Sequence, residues 1–223
     1  TESDLSLIRE GLDQDIYPNI DWMKLLLKDG AYTKRASLNL DGGGTTARYF
    51  VSGSYIDEGG MYSTKDAWEG YDTNANYKRW NYRTNVDMDI TKSTLLRIGV
   101  SGSLDKQNLP GATYNEIWNS LMGQNPISVP LRYSNGNMSS RGSGGKNNPW
   151  VLMTQMGYIE NWNNKIQTNA TLEQNFDFLT KGMKFIGRFG FDTNNKNYIR
   201  RVKWPTGYQA ERNRGNAGEV IFK

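Results

Sequence analysis

From Arg79 the chain alternates in character residue by residue. Trp80, Tyr82, Thr84, Val86, Met88 and Ile90 occupy the even positions, and Arg79, Asn81, Arg83, Asn85, Asp87 and Asp89 the odd ones. A strict period of two is the pattern of a β-strand with one apolar face and one wetted face. Thr91, Lys92 and Ser93 read as a short turn, after which the chain returns with Leu96, Ile98, Val100 and Leu104 on one face. The other face of the return strand carries Arg97, Gly99, Ser101, Ser103 and Asp105. Strands of this hairpin match the roughly 9–11 residues that cross a membrane, whereas globular strands usually run about 5–6.

The same period recurs on both sides of the hairpin. Ala36, Leu38 and Leu40 precede the glycine turn at Gly42, Gly43 and Gly44, and Tyr49, Val51, Gly53 and Tyr55 follow it. Further on, Ile166, Thr168, Ala170, Leu172 and Phe176 lead into a turn over 178–182, with Met183, Phe185, Gly187, Phe189 and Phe191 returning. Residues 5–12 and 22–28 read as short helices, the second with Asp21 at its N-cap, and 114–122 as a helix inside a long connection. Residues 134–148 have the composition of a flexible stretch, and the tail from Asn194 is polar throughout.

Tight connections alternate with long ones. The turns near Gly43, Lys92 and Thr180 are short, and the connections near 57–78, 106–161 and 194–223 are long. Outer-membrane barrels have short periplasmic turns and long external loops. Aromatic residues fit such an arrangement, with Tyr55, Trp80, Tyr82, Trp162, Phe189 and Phe191 expected toward the loops and Tyr49, Phe176 and Phe185 toward the turns. The expected fold is all-β: a partial transmembrane antiparallel barrel of about six strands in three hairpins, with long extracellular loops and a short N-terminal helical segment. Residues 1–30 are expected to connect to the barrel and 31–223 to form its first part. Trp80, Tyr82, Val86, Met88, Leu96, Ile98 and Val100 are the expected lipid-facing wall.

Composition explains how so polar a chain can do this. Only 36% of the residues are hydrophobic and the mean hydropathy is -0.74, low for a soluble domain of 223 residues. A barrel with a wet interior needs apolar residues only at alternate positions. The net charge of +4 comes from 27 basic and 23 acidic residues without a basic run, which gives no reason to expect nucleic acid. The absence of cysteine and histidine removes disulfide frameworks, thiolate sites, zinc hydrolases and histidine-based triads. No apolar run reaches the roughly 18 residues of a membrane helix. The opening Thr1, Glu2, Ser3, Asp4 reads as the interior of something longer, with no signal peptide.

Few residues suggest chemistry. Asp57 with Glu58, and Asp87 with Asp89, are paired acids of the kind a glycosidase uses, but Asp87 and Asp89 share a strand face with Arg83 and are more simply lumen lining. No catalytic residue, metal ligand or cofactor is therefore expected. Aromatics in the outer loops, Trp68, Tyr71, Trp118 and Trp150, are candidate substrate-binding residues, since Trp and Tyr stack on sugar rings and grip peptides. The sequons at Asn137 and Asn169 carry weight only in a eukaryotic secretory setting.

Several stretches resemble SusC/RagA-type TonB-dependent transporters in the family's order. They are Tyr17-Pro18-Asn19-Ile20-Asp21-Trp22, Leu26-Leu27-Lys28-Asp29-Gly30, Leu38-Asn39-Leu40-Asp41-Gly42-Gly43 and Ala47-Arg48-Tyr49-Phe50-Val51-Ser52. Tyr77 to Asp87 and Phe178-Leu179-Thr180-Lys181-Gly182 continue the series. The family's barrels have about 22 strands around a plug, and this chain resembles the segment after the plug with the first strands. The resemblance implies a bacterial outer-membrane importer of oligosaccharides or peptides, energised by the TonB complex through the plug and paired with a SusD-like lipoprotein. The alternative is a soluble extracellular β-rich carbohydrate-binding module, in which Trp80, Tyr82, Val86 and Met88 would lie under a second sheet. Six strands leave two open edges, which lipid does not tolerate, so a section of a larger barrel is expected.

Overall fold

The computed structural model describes residues 1–65, 67, 70–140 and 147–222. Helix α1 (Glu2–Glu10) opens on a capping box between Thr1 and Asp4 and closes at Gly11, whose φ of 68° is left-handed. Asp21 caps α2 (Trp22–Leu26) by accepting from the Lys24 N–H, as the sequence predicts. Four strands follow: β1 (Thr33–Gly43), β2 (Ala47–Glu58), β3 (Asn76–Thr91) and β4 (Thr94–Pro110). The long connection after β4 holds α3 (Tyr114–Gly123), β5 (Met138–Ser139) and α4 (Pro149–Thr154). Strands β6 (Gly157–Asn175) and β7 (Lys184–Val202) form the third hairpin, and β8 (Gly207–Tyr208), β9 (Ala210–Arg214) and β10 (Val220–Phe222) finish the chain.

The architecture is the expected one of three antiparallel hairpins in a single sheet, ordered β1-β2-β3-β4-β6-β7. Every neighbour in space is a neighbour in sequence once the short β5 is set aside, so the sheet is an open meander with an edge at each end. The strands exceed the expected span. They lengthen from 11 residues in β1 to 19 in β6 and β7, and the added length is divided between the turn end and the long-loop end. Thus β7 runs on to Val202, through residues that read as polar tail. Asn194, Asn195, Lys196 and Asn197 are polar on both faces, so no alternation betrays the strand.

Among the described residues the sheet has no second layer, and the buried core lies elsewhere. Trp22 and Leu26 of α2, Tyr62, Ala112, Ile117 and Leu121 of α3, Val129, and Trp150, Leu152, Met153 and Met156 form one cluster. This cap gathers residues 1–30 and the connections after β2 and β4 at the end of the sheet opposite its tight turns. The Ile20 N–H donates to the Pro126 carbonyl at 3.0 Å, and Ser134 N–H donates to Asp15 at 2.8 Å. The tail joins the cap through β5 pairing β8, through the Ala210 N–H donating to the Tyr133 hydroxyl at 2.9 Å, and through the Tyr133–Phe222 ring pair. Helix α4 is absent from the sequence reading. Six residues with five of them buried show no 3.6-residue period, although Asn148 at the N-cap and Pro149 after it are start signals.

Candidate functional site

Strand pleating gives the sheet two unlike faces. Trp80, Tyr82, Val86 and Met88 share one face with Leu96, Ile98 and Val100 of the adjacent β4, Met88 opposite Leu96 and Val86 opposite Ile98. The rows continue sideways: Val86 is flanked by Tyr49 on β2, and Ile98 by Ala170 and then Phe189. None of these residues belongs to the buried core, and among the described residues no helix or second sheet packs over them. Tyr55 and Trp80 stack at 5.3 Å toward the cap end. Gly102 is required by its neighbours, because a Cβ there would press on the Lys165 carbonyl and lie 2.6 Å from the Tyr82 ring. Phe189 and Phe191 are not at the loop end, where the sequence pattern puts them. With β7 extending from Lys184 to Val202, they fall in its turn-proximal half.

The opposite face is polar and partly organised by ion pairs. Near the tight turns, Arg48 binds Asp89 at 3.0 Å, Arg97 lies between Asp87 at 3.7 Å and Glu173, and Lys184 holds Glu173 at 2.5 Å. Toward the cap, Arg79 pairs with Asp105 at 3.4 Å, and Asp105 also accepts from the Tyr77 hydroxyl at 2.9 Å. Asp87 and Asp89 are therefore each engaged by an arginine and do not form an acid–base pair, while Asp57 is buried at the end of β2. Between these two groups lies a depression of about 450 Å³, lined by Arg79, Asn81, Arg83, Ser101, Ser103 and Lys165 among others. No group of three metal-ligating side chains occurs among the described residues.

The loop aromatics separate into different environments. Trp68 lies outside the described residues. Tyr71 stacks on Tyr158 at 4.7 Å, and Trp118 is half-buried against the cap core with Tyr114 at 5.8 Å. Trp150 is not available to a ligand. It is 3% exposed because α4 turns it into the core, and the Arg132 guanidinium lies over its ring, 5.4 Å from the centre. Burial also pushes the Tyr62 and Tyr133 hydroxyls above their ordinary pKa. A cavity of about 660 Å³ opens between residues 14–25 and 130–132, lined by Pro18, Ile20, Lys24, Leu25, Leu131 and Arg132. Sequence reasoning misses it because its two walls are more than a hundred residues apart and share no local pattern.

No protein-family model matches the sequence, and no curated protein matches it. Solved structures do. The RagAB peptide importer in its open-open state has a TM-score of 0.57 at 19% identity, over 85% of this chain and 21% of that one. The closed-closed state gives 0.56 at 19% with the same coverage, and a further RagAB peptide transporter structure gives 0.54 at 18%, over 88% and 22%. The likeness is one of fold. The chain spans about a fifth of the length of the chains it matches.

Proposed function

We propose that this chain is a section of the barrel wall, with its external cap, of an outer-membrane TonB-dependent importer. The observation that carries the reading is the pair of unlike faces: an uncovered apolar band on one side of a single sheet and a hydrated, ion-paired surface on the other. From Trp80 to Met88 the band spans nine residues of β3, whose eight rises make about 27 Å along the strand and about 20 Å in height at a tilt of about 40°, close to the hydrocarbon belt of such barrels. The seven residues Trp80, Tyr82, Val86, Met88, Leu96, Ile98 and Val100 then face lipid.

The edges support the same conclusion. The outer edges of β1 and β7 present unpaired backbone over 11 and 19 residues, and in lipid each unsatisfied group costs several kcal/mol. Further strands must cover them. A soluble carbohydrate-binding module would bury the apolar band under a second sheet, and none lies there among the described residues. The RagAB neighbours are described as peptide importers, which favours peptides over oligosaccharides as cargo. The cap, with exposed Tyr114 and Met122 on α3, is the surface on which a SusD-like lipoprotein would sit, and Tyr71 and Trp118 are the aromatics left there to touch cargo. Energy from TonB would enter through a plug.

This chain has no cysteine of its own, so single cysteines placed in it test the topology once any cysteine elsewhere in the full-length protein has been replaced. In intact cells producing the full-length protein, a membrane-impermeant maleimide is expected to label Met122→Cys. Lys92→Cys should be labelled only after the outer membrane is permeabilised. Equal labelling at both positions in intact cells refutes the arrangement.

A further inference from the structure

The polar face of β2, β3, β4 and β6 carries five cations, and they are not equivalent. Arg48, Arg79 and Arg97 each hold a carboxylate. Arg83 and Lys165 make no ion pair among the described residues. Both line the depression of about 450 Å³, on inner strands bordered by neither open edge. Register explains why they stay unpaired. Arg83 lies in a row with Ser52, Ser101 and Gln167, and Lys165 in a row with Asn81, Ser103 and Asn194. Their cross-strand neighbours are hydroxyls and amides, which solvate a cation without neutralising it. Asp192, diagonally across from Lys165, makes no ion pair with it.

We infer that Arg83 and Lys165 form a seat for the carboxylates of an acidic peptide passing along the polar face, a refinement that rests on the importer reading above. Two strand spacings and a two-residue offset set their Cα atoms about 12 Å apart. An extended peptide presents side chains to one face at intervals of two or four positions, about 7 or 13 Å apart, so two acidic residues four positions apart reach both cations at once. Asn81, Ser101, Ser103 and Gln167 supply donors and acceptors for the peptide backbone between them. An arginine offers a forked, bidentate carboxylate contact and a lysine a mobile one, which tolerates variation in the spacing.

The test uses the full-length protein in detergent and three fluorescent peptides of equal length: one with an Asp-Xaa-Xaa-Xaa-Asp core, its Asn counterpart, and its Lys counterpart. The acidic peptide is expected to bind about tenfold tighter than the Asn peptide at low salt, a preference that fades as salt is raised. R83Q and K165Q should each remove part of that preference, and the R83E/K165E double variant should transfer it to the Lys peptide. Binding of the Asn peptide, unchanged in all variants, reports an intact fold. Equal binding of acidic and neutral peptides by the parent, or an acidic preference that survives R83E/K165E, overturns the seat while leaving an importer. Competition by an oligogalacturonate equal to that of the acidic peptide overturns the assignment to peptides. Failure to bind any peptide or that oligosaccharide sinks the importer reading itself.

Discussion

Arginine placed at Val100 is expected to cost about 3 kcal/mol of folding stability, and arginine at Asn85 almost nothing. The difference follows from depth and face. Val100 lies opposite Thr84, which is midway between Trp80 and Met88, so about 10 Å of apolar wall extends above and below it. An arginine at the midplane of a barrel wall costs about 2–4 kcal/mol, falling to about 0–1 at the interfaces. Val86 is one pleat, about 5 Å, nearer the turns, and Met88 about 10 Å. The expected order is therefore Val100→Arg at about 3, Val86→Arg at about 2 and Met88→Arg at about 1 kcal/mol. Asn85 is exposed on the polar face beside Asp87, where a guanidinium stays hydrated. The full-length barrel, refolded into lipid vesicles and unfolded in urea with tryptophan fluorescence as readout, gives these differences directly, the largest being a change of about 150-fold in the folding constant. A flat profile across the three apolar sites would refute a lipid belt. Equal costs at Val100 and Asn85 would refute the assignment of faces.

Three further outcomes are expected. Gly102→Ala should destabilise the wall by about 1–3 kcal/mol, because its new methyl meets backbone at Lys165 and the Tyr82 ring, whereas Gly53→Ala in the same row, with open space around it, should be far milder; the same urea assay compares them. Trp150→Ala should loosen the cap by about 3–5 kcal/mol, seen as new proteolytic cleavage between β4 and β6 while the barrel keeps its heat-modifiable migration on gels. Thr113→Ala should weaken α3 by about 1 kcal/mol. Glu116, held below the usual carboxylate range first by the Thr113 hydroxyl and then by its backbone N–H, contributes stability that is present above its unfolded pKa and lost as pH falls through the lower folded value. Protection factors of the α3 amides, corrected for the intrinsic slowing of exchange at lower pH, should accordingly fall on acidification, and a rise would refute the capping box as its source.

How legible the molecule is depends on whether a residue's role is set by its own strand. The hairpin from Arg79 to Leu104 is readable because every even side chain faces one medium and every odd one another, and its register is the one alternation predicts. Beyond Leu104 and Asp192 both faces carry mostly polar residues, the alternation vanishes, and strands continue unseen to Pro110 and Val202. The cap is harder still. Trp150 reads as an exposed loop aromatic because nothing in its neighbourhood reveals that Leu26, Ile117 and Met153 converge on the same core. Arg83 and Lys165 are visible only as members of a mixed-charge face. What singles them out is which neighbours have taken the available carboxylates, and that is a property of register across β3, β4 and β6.

The strand length beyond the apolar band has its own consequence for how the cap works. From Leu104 to Pro110, six more residues of β4 pair with β6, lifting the wall about 15 Å further in height at the same tilt. On the importer reading these rows belong in water: Lys106 binds Glu160 at 3.0 Å and lies over the Trp162 ring, whose indole N–H donates to Glu160 at 2.6 Å. A wall that ended at the membrane surface would leave the cap core in the headgroups. The extra rows instead form a rigid collar that holds Trp22, Ile117 and Trp150 above them, on hydrogen-bonded strands rather than on loops. On the importer reading, the cap is then carried as a fixed rim at the height where cargo and a lipoprotein partner meet, and the polar face below it, with Arg83 and Lys165 unpaired, is the first charged surface that cargo encounters on entering.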